Sequence, residues 1–357
     1  MKTGSKIFVA GHTGLVGSAI LRRLRMEGYA NILTVPHRTL DLTRQSAVDR
    51  FFAEERPEVV FLAAARVGGI WANMHFKAEF IYENMMIAAN IIYAAHKYSV
   101  KKLLNLGSSC IYPRNAPQPM KEDQLLTGSL EPTNEPYAIA KISAIKLCRY
   151  YNEQYGTNFL SVMPTNMYGP NDNFDLNSAH ALAALIRKCH LGRLAAQGDR
   201  EGIEKDEACY GPIPDDFRAS LGIAPPSKTM GMRPPQIVFW GTGAPRREFL
   251  HVDDLAEAVI YLMKNYDYTD IGEFINIGTG EDLPIQALSS LVMEIVGFDG
   301  ECTWDASKPD GMPRKLLDVS RMTSLGWQAK ISLRDGIRQT YDWYLSELAK
   351  PLLILTS

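Results

Sequence analysis

The sequence has few cysteines and no excess of charge of either sign. Its five cysteines are scattered, so they make neither a disulfide framework nor the paired spacing of a zinc site, and we expect no metal. The 38 basic and 40 acidic side chains give a net charge of −2, whereas proteins that bind nucleic acid usually carry a basic excess. No targeting segment and no membrane-length apolar run is visible. We therefore expect a protein of the reducing cytoplasm whose partners include no nucleic acid and no membrane.

Apolar runs and helical periodicity alternate along the first half of the chain. Hydrophobic residues make up 46% of the 357 residues, an ordinary share for a folded protein. Short runs rich in branched residues predict strands at 7–10, 32–35, 59–63, 102–106 and 159–163, and periodic segments predict helices at 18–27, 45–55, 77–98 and 137–155. This alternation predicts an α/β fold, a doubly wound parallel sheet of the Rossmann type with helices on both faces.

A glycine-rich turn follows the first predicted strand and opens the first predicted helix. Its sequence, GHTGLVG at 11–17, places glycines where the backbone must turn sharply, approach a pyrophosphate and pack helix against strand. The N–H groups at the amino terminus of the helix then face the phosphates. A glycine-rich turn can also bind nothing, but the strand–turn–helix context favours a dinucleotide. The residues of this prediction are Gly11, Thr13, Gly14, Leu15, Val16 and Gly17.

The end of the second predicted strand distinguishes between the two nicotinamide coenzymes. An NAD site usually has an acidic residue there for the ribose hydroxyls, whereas this strand ends in Val35, Pro36, His37 and Arg38. A basic residue suits a 2′-phosphate, so Arg38 favours NADP(H) as the cofactor. His37 and Arg38 can also be solvated loop residues. Asp41, a few residues later, can cap the next segment or approach adenine.

The second half of the chain has a less regular pattern. A strand at 236–241, a helix at 252–264 and a strand at 274–278 are predicted there. We therefore predict an NADP-binding Rossmann domain at 1–165 with which the later segment 236–278 is interleaved. A smaller, interleaved C-terminal α/β lobe for substrate follows at 166–347, and a C-terminal tail at 348–357. The stretch 194–235 is rich in proline and charge with little periodicity, so we expect an inserted flap inside the second lobe.

Tyr137 and Lys141 lie four residues apart at the start of a predicted helix, so both project from one face. A lysine ammonium beside a phenol lowers the pKa of the phenol and can hold the ribose of a nicotinamide nucleotide. The tyrosine can then donate a proton when a ketone accepts hydride. The spacing alone is also common on exposed helix faces, but together with the upstream glycine motif it favours a reductase site.

Ser108 and Cys110 lie at the end of the fourth predicted strand, at the carboxyl edge where such sheets bind ligands. Alternation along an extended segment puts both side chains on the same side. At this point the sequence resembles the extended short-chain dehydrogenase/reductase family, from about residue 5 to residue 347. The resemblance is carried by LGSSCIY at 106–112, EPYAIAK at 135–141, PTNMYGP at 164–170, REFLHVDD at 247–254 and KPDG at 308–311.

The resemblance implies a particular chemistry. Most of these motifs are shared by nucleotide-sugar epimerases and dehydratases, whereas Cys110 and the neighbourhood of His180 are more particular to one branch. That branch implies NADPH-dependent 3,5-epimerisation and 4-reduction of a GDP-sugar substrate, GDP-4-keto-6-deoxy-D-mannose, to GDP-L-fucose. The catalytic residues that it implies are Ser108, Tyr137 and Lys141 for hydride transfer, with Cys110 and His180 as the acid/base pair.

Cysteine and histidine suit epimerisation next to a carbonyl. C3 and C5 both flank the carbonyl of a 4-keto sugar, so enolate formation acidifies their hydrogens. Both side chains can exchange protons near neutral pH, and Ser108 and Tyr137 can hydrogen-bond the enolate oxygen. By itself, Cys110 would be inert packing about as readily as a catalyst, and His180 would be a cap or a surface group. Cys148 and Cys189 lie within helical periodicity and are predicted to be core.

The resemblance also implies the binding residues. For the coenzyme it adds Leu106, Gly107, Lys141, Pro164, Asn166 and His180, and for the GDP-sugar it gives Lys188, Trp240, Arg247 and Lys308. Cations suit a diphosphate. Trp240 can equally be a core aromatic, Lys188 a surface charge and Asn166 a turn residue. The chain departs from the family pattern at Thr13, where some members carry arginine, so the preference for NADP(H) depends on Arg38.

Three alternative functions differ in what they require of the site. A nucleotide-sugar 4-epimerase would show no net NADPH consumption, and a GDP-colitose-type epimerase/reductase would prefer a substrate that lacks the 3-hydroxyl. A non-catalytic dinucleotide sensor has no need of Ser108, Tyr137 and Lys141, so their presence argues against it. Related enzymes dimerise through a four-helix bundle, and the helices at 77–98 and 137–155 therefore imply a homodimer.

Overall fold

Thirteen strands and thirteen helices make up the part of the chain that the computed structural model describes, residues 1–223, 235–308 and 310–351. The strands are β1 (Ile7–Ala10), β2 (Ile32–Leu33), β3 (Val59–Leu62), β4 (Lys102–Leu106), β5 (Phe159–Pro164), β6 (Asn166–Tyr168), β7 (Gln236–Trp240), β8 (Arg246–Arg247), β9 (Phe249–His251), β10 (Ile275–Ile277), β11 (Leu283–Pro284), β12 (Glu301–Asp305) and β13 (Arg314–Lys315). The helices are α1 (Leu15–Met26), α2 (Gln45–Glu55), α3 (Ile70–His75), α4 (Lys77–Lys97), α5 (Glu135–Tyr155), α6 (Ala181–Gln197), α7 (Arg200–Tyr210), α8 (Asp215–Ser220), α9 (Val252–Asn265), α10 (Tyr268–Ile271), α11 (Ile285–Val296), α12 (Ser320–Ser324) and α13 (Leu333–Leu348). Among these helices, none has the length and apolar character that a membrane span needs.

The central sheet has six parallel strands in the order β10-β5-β4-β3-β1-β2. This arrangement confirms the predicted doubly wound α/β fold. From β1 the chain pairs β2 on one side and then crosses to β3 on the other, so the strand order reverses at β1. Ligands of such sheets bind in the crevice outside the carboxyl ends of the strands at this reversal. The glycine-rich turn follows β1 directly and therefore lies at the crevice.

Both faces of the sheet are covered, because successive residues of a strand point to opposite sides. Ile7 and Val9 of β1 pack in one apolar cluster with α1 and α9, whereas Phe8 and Ala10 pack in another with α2, α4 and α5. All four side chains are almost fully buried. Burial of an aliphatic or aromatic side chain of this size stabilises a fold by about 1.5–3 kcal/mol.

Three predicted element boundaries differ from the structure by two residues or more, and the others agree to within one residue. The first helix begins at Leu15 instead of 18, since the glycine turn itself leads into its first turn. Helix α5 begins at Glu135 instead of 137, because Pro136 occupies the first helical turn, where its missing N–H is not needed. Strand β2 spans only Ile32–Leu33, at the edge of the sheet, where it has β1 as its single neighbour.

The second lobe surrounds its own apolar core. Strand β7 pairs in parallel with β12, β8 lies between β11 and β13, and β6 pairs with β9. Helices α6, α11 and α13 contribute most of the helical residues of this core. Within the segment 236–278, β10 belongs to the central sheet and α9 belongs to the helical layer that covers it. Strand β7 lies outside that sheet.

The described part of the stretch 194–235 is helical, which corrects the expectation of an irregular flap. Helix α6 continues to Gln197, and α7 and α8 follow. Ile213, Phe217 and Leu221 are buried in the core of the second lobe. Their spacing of four residues is helical, and the neighbouring prolines and charges masked it in the sequence. Residues 224–234 of this stretch lie outside the described residues, as do residues 352–357 of the predicted tail.

Candidate active site

A cavity of about 1170 Å³ opens at the carboxyl ends of β1, β3, β4 and β5. One end is lined by the turn after β1 and by the segment 35–43 after β2. The middle is lined by the residues after β4, the start of α5 and the start of α6. The other end is lined by α6, α8, β7, β8 and the loop that leads into β13. The cavity is therefore large enough to accept a dinucleotide and a second ligand side by side.

The glycine turn has the shape that a pyrophosphate requires. Gly11 has a φ of +82°, and a Cβ there would lie 2.8 Å from the backbone of Ala64. A Cβ on Gly17 would overlap the carbonyl oxygen of Gly11. The N-cap of α1 is Gly14, and no side chain caps this helix end. Its N–H groups thus remain available at the cavity wall for a phosphate.

Arg38, the residue on which the NADP preference was predicted to depend, does not line the cavity. It is exposed, whereas its neighbours Val35, His37 and Leu40 form part of the wall. Asp41 accepts hydrogen bonds from the N–H and hydroxyl of Thr43, so it caps the segment that follows. These bonds hold the pKa of Asp41 below its usual range.

The other residues predicted for the coenzyme all line the cavity, namely Gly11, Thr13, Gly14, Leu15, Val16, Gly17, Leu106, Gly107, Lys141, Pro164, Asn166 and His180. A Cβ on Gly107 would overlap the side chain of Met163, so a larger residue cannot replace it without a shift. Asn166 also has a local partner, because its Nδ2 donates to the carbonyl oxygen of Glu248 at 2.7 Å.

Ser108 and Cys110 both line the cavity, but the segment that carries them is not extended. Ser108 is the N-cap of a single 3₁₀ turn, Ser109–Ile111, and its Oγ accepts the backbone N–H of Cys110 at 3.3 Å. The alternation predicted for an extended strand is therefore wrong here. Ser109, between them, is buried against the protein. The turn, and not the pleat of a strand, brings the hydroxyl and the thiol to the same cavity.

Tyr137 and Lys141 lie on one face of α5, as their spacing predicts. Lys141 Nζ donates to the carbonyl oxygen of Leu106 at 2.8 Å and lies 5.6 Å from the centre of the Tyr137 ring. Burial raises the pKa of Tyr137, and nearby Cys110 raises it further, while the Ser108 hydroxyl opposes the rise. The net shift is upward, so burial outweighs the lowering that was predicted from Lys141. The phenol is therefore protonated at neutral pH, as a proton donor must be.

His180 is the N-cap of α6, and its side chain makes no capping hydrogen bond. The imidazole is open to the cavity but closely surrounded by protein atoms. This desolvation lowers its pKa, and the positive charge of Lys315 lowers it further. His180 is therefore a neutral imidazole at pH 7 that faces the same cavity as Cys110.

Two polar side chains that were missed in the sequence contact the sulfur of Cys110. Asn134, the N-cap of α5, places its Nδ2 at 3.2 Å from Sγ, and Lys315 of β13 places its Nζ at 3.3 Å. Lys315 follows the motif at 308–311 by only a few residues but has no pattern of its own. It is 205 positions away from Cys110 in the chain. No local sequence signal indicates that contact.

The four residues predicted for the GDP-sugar line the far end of the cavity. Trp240 is 47% exposed and therefore not a core aromatic, and Lys308 Nζ lies 5.3 Å from the centre of its ring. Lys188 is not a surface charge, since its Nζ lies over the ring of Phe217 at 5.1 Å. Burial lowers the pKa of Lys188 and also that of Arg247. This end of the cavity thus combines three cations with aromatic rings, and the carboxylates of Asp216, Asp305 and Asp310 also line it.

Helix α8, from the stretch 194–235, forms part of the same wall. Pro214, Asp216, Phe217 and Ser220 all line the cavity beside Lys188. The negative charge of Asp216 partly offsets the effect of burial on the pKa of Lys188. Helix α8 is therefore part of the far end of the cavity, and its Phe217 also packs in the core of the second lobe.

The chain is similar to known proteins over nearly its whole length. The model of the NAD dependent epimerase/dehydratase family matches residues 7–203 and 209–278. GDP-L-fucose synthase 1 of Arabidopsis thaliana is 50% identical over 344 residues, which cover 96% of this chain and 94% of that protein. The GDP-L-fucose synthase of Escherichia coli K12 is 46% identical over 346 residues, 95% of this chain and 96% of that protein. Among solved structures, MlghC, a GDP-mannoheptose C4 reductase from Campylobacter jejuni with NADP bound, has a TM-score of 0.82 at 40% identity and covers 97% of this chain and 99% of its own.

Proposed function

The chain belongs to the NAD dependent epimerase/dehydratase family, and from this premise we propose that it converts GDP-4-keto-6-deoxy-D-mannose to GDP-L-fucose with NADPH. One observation carries the proposal. A single cavity is lined by the reductase residues Ser108, Tyr137 and Lys141 and by the acid/base pair Cys110 and His180. The curated relatives named above as GDP-L-fucose synthases match nearly the full length of the chain.

The residues present fit a nicotinamide dinucleotide. The cradle at Gly11 and Gly17 and the uncapped start of α1 would hold the pyrophosphate, and Lys141 would hold the ribose next to the nicotinamide. The bound coenzyme supplies hydride for the 4-keto carbon. MlghC, 40% identical, was solved with NADP, and this supports NADP(H) over NAD(H). Arg38 lies between His37 and Leu40, which line the cavity, and its contact with the 2′-phosphate stays a prediction.

Cys110 and His180 perform the epimerisation in this proposal. One of them removes the hydrogen on C3 or C5, and the other returns a proton from the opposite face of the sugar ring. The electron pair of the broken C–H bond moves onto the oxygen at C4. Ser108 and Tyr137 donate hydrogen bonds to that oxygen, which stabilises the enolate as an oxyanion site does.

Tyr137 performs the proton transfer of the reduction. Its raised pKa keeps the phenol protonated, so it can donate to the C4 oxygen when the carbon accepts hydride. Lys141 lies over the phenol ring and stabilises the negative charge that develops when the proton leaves. Tyr137 thus serves both steps, since it binds the enolate oxygen together with Ser108 in epimerisation and donates the proton that completes the alcohol in reduction.

The far end of the cavity fits a nucleoside diphosphate. Lys188, Arg247 and Lys308 supply positive charge for the two phosphates, and guanidinium and ammonium groups donate charge-assisted hydrogen bonds to them. The aromatic rings of Phe217, Phe239 and Trp240 provide flat apolar surface for the base.

The similarity to MlghC supports a second candidate, a C4 reductase of a related GDP-sugar. MlghC is named a GDP-mannoheptose C4 reductase. The two candidates share the reductase residues and differ in whether C3 and C5 exchange their hydrogens. Two curated GDP-L-fucose synthases with 50% and 46% identity favour the epimerase/reductase.

A homodimer completes the proposal. Helix α4 exposes Tyr82, Met85 and Tyr93 along one stripe, and α5 exposes Ile139 and Tyr150. The two helices pack against each other in the central domain. Large apolar side chains exposed on neighbouring helices favour burial against a second copy.

The proposed activity is tested by incubating the protein with GDP-4-keto-6-deoxy-D-mannose and NADPH and identifying the product by NMR. We expect GDP-L-fucose, with one NADPH oxidised for each product molecule. Recovery of the 4-keto sugar with its C4 carbonyl intact and no loss of NADPH would show that the protein is not a reductase, as expected for a 4-epimerase that retains its coenzyme. Reduction at C4 with C3 and C5 unchanged would identify a simple C4 reductase, and either result would contradict the proposal.

A further inference from the structure

Lys315 has an unusual environment for a lysine. It is only 7% exposed, and its Nζ lies 3.3 Å from the sulfur of Cys110. Across residues 1–223, 235–308 and 310–351, no carboxylate lies within ion-pair distance of that ammonium. A buried ammonium is costly unless an anion or several acceptors surround it. The sulfur is the partner that the structure offers it.

The position of Lys315 is fixed by its backbone. Strand β13 pairs in parallel with β8, and Lys315 is the register partner of Arg247, so both side chains are presented to the same face. The N–H of Glu248 donates to the carbonyl oxygen of Lys315 at 3.3 Å, and the carboxylate of Glu248 accepts the N–H of Leu317 at 3.0 Å. A long, flexible side chain is thereby attached to a rigid strand whose direction leads into the cavity.

Asn134 completes the surroundings of the sulfur. Its Nδ2 donates to Sγ at 3.2 Å, and its own Oδ1 is buried without a partner among the described residues. Two donors, one of them charged, therefore point at one sulfur atom. A thiolate accepts hydrogen bonds far better than a thiol does, so this arrangement favours the anion.

We propose that Lys315 is a positioning residue that holds Cys110 as a thiolate and so makes it the base that removes the hydrogen on C3 or C5. This inference rests on the proposed function. In the step, the C–H bond breaks and an S–H bond forms, and the electron pair of the C–H bond moves to the C4 oxygen, where Ser108 and Tyr137 donate. Lys315 acts through Cys110 and touches neither substrate nor coenzyme in this role.

The same ammonium acts on the other member of the acid/base pair. Burial is the larger cause of the lowered pKa of His180, and the positive charge of Lys315 lowers it further. Because a neutral imidazole is a poor acid, His180 takes up a proton from solvent before it returns one to the ring, and the proton on Cys110 passes back to solvent. The other titratable and charged groups that face the sulfur are Tyr137 and Lys141 of α5 and Arg247 of β8, with Glu131 beyond Arg247.

The first test measures thiolate character without any substrate. The protein is alkylated with iodoacetamide, and the rate at each cysteine is read by peptide mass spectrometry in wild type, K315M and K315R. Since the thiolate is the nucleophile, we expect K315M to slow the alkylation of Cys110 at about pH 7 by about tenfold or more. K315R keeps the positive charge, so we expect its rate of Cys110 alkylation to lie closer to the wild-type rate. At about pH 10 an exposed thiol is already ionised, so the Cys110 alkylation rates of wild type and K315M should become equal.

Two internal controls accompany this test. Cys209 is exposed on α7 and reports any general change in reagent or protein, so its rate stays constant in all variants. K308M removes a positive charge from the same cavity and leaves the rate at Cys110 unchanged. An equal rate at Cys110 in K315M and wild type at pH 7 would overturn the inference. A slow rate in K315M at both pH values would also overturn it, because that result indicates a change in access and not in charge.

A second measurement needs no lysine variant and decides the matter should K315M fail to fold. The thiolate has an ultraviolet absorption band that the thiol lacks, so wild type minus C110S shows this band at about pH 7 if Cys110 is ionised. Absence of the difference would contradict the inference.

With the GDP-4-keto sugar, K315M exchanges deuterium into C3 and C5 about tenfold or more slowly, with unchanged NADPH affinity. A wild-type protein that does not turn over this sugar refutes the proposed function alone, since the alkylation test is independent of it.

Discussion

The pKa of Lys141 shows how strongly the ionisation of a buried side chain depends on its surroundings. Its ammonium is bonded to the carbonyl oxygen of Leu106 and is otherwise enclosed, with 8% of the residue exposed. Burial lowers its pKa to about 8, and the nearby Cys110 partly opposes this shift. Lys141 is therefore charged at pH 7 and loses its charge slightly above the physiological range. The charged form is the one that the proposed coenzyme site requires.

At the residue scale, coenzyme binding is predicted to weaken at alkaline pH. The anionic coenzyme prefers the charged form of Lys141, which predominates below pH 8 and disappears as the pH rises through about 8. We expect the Kd of NADPH to rise by about tenfold between pH 7.5 and pH 9.5, measured by fluorescence titration.

The matched variant for this prediction is K141R. Its guanidinium stays charged to well above pH 10, so whatever affinity K141R has is constant over the same range. A wild-type Kd that does not change up to pH 9.5 would contradict the assignment. An equal alkaline loss in K141R would show that another group titrates.

At the element scale, helix α6 joins three parts of the molecule. His180 and Lys188 face the cavity. Arg187 is fully buried and donates to Asp206 of α7 at 2.8 Å. It also donates to the carbonyl oxygens of Phe174 and Tyr210, so it attaches α7 to the second lobe. His190 is also buried and contacts Tyr341 of α13 at 2.9 Å. One helix therefore ties the cavity wall to the core behind it.

The buried His190 makes the stability of this core sensitive to acid. Burial lowers its pKa to about 3, so the folded protein keeps it neutral while the unfolded chain binds a proton near pH 6.5. The unfolded state then binds more protons below pH 6.5, and stability is lost as the pH falls from there. The expected loss is about 1.4 kcal/mol for each pH unit.

Urea unfolding of wild type and H190Q at pH 7 and pH 5 measures this contribution. Glutamine does not titrate, so the offset between the two proteins at pH 7 reflects the substitution alone. We expect the free energy of unfolding of wild type to fall by about 2 kcal/mol more than that of H190Q between the two pH values. Equal losses would show that His190 is protonated in the folded state.

At the scale of the whole molecule, the sequence predicts the layers well and the contacts between distant segments poorly. The alternation of apolar runs and helices predicts the central sheet because each element must bury one side locally. The glycine turn, Tyr137 and Lys141 are also predictable, since a short spacing fixes their geometry. Lys315 is not, because only the pairing of β13 with β8 brings it to Cys110.

Two further differences between the predictions from the sequence and the structure have similar causes. The 3₁₀ turn at Ser109–Ile111 follows a regular strand, and no residue in it signals the change from an extended backbone. Helix α7 buries Ile203 and α8 buries Phe217, one apolar residue each, and Pro212 and Pro214 between the two helices dominate the local pattern. In both places the surrounding structure overrides the local preference of the chain.

The proposed dimer predicts a change in mass on disrupting the face that α4 and α5 expose. M85E places a charge in the middle of the exposed stripe of α4 and should convert the dimer to a monomer in small-angle scattering. M26E is the matched control, since Met26 is 80% exposed on α1, at the other face of the central sheet, and its replacement should leave a dimer. A monomeric wild-type protein would contradict the proposal.

The central claim is that one cavity both exchanges the hydrogens beside a carbonyl and reduces that carbonyl. The most direct measurement incubates wild type, C110S and Y137F with GDP-4-keto-6-deoxy-D-mannose in deuterated water and reads deuterium at C3 and C5 by NMR. We predict that C110S incorporates none while it still binds NADPH, and that Y137F incorporates deuterium while its rate of reduction falls by about 10²–10⁴-fold. Deuterium uptake by C110S at the wild-type rate would contradict the account.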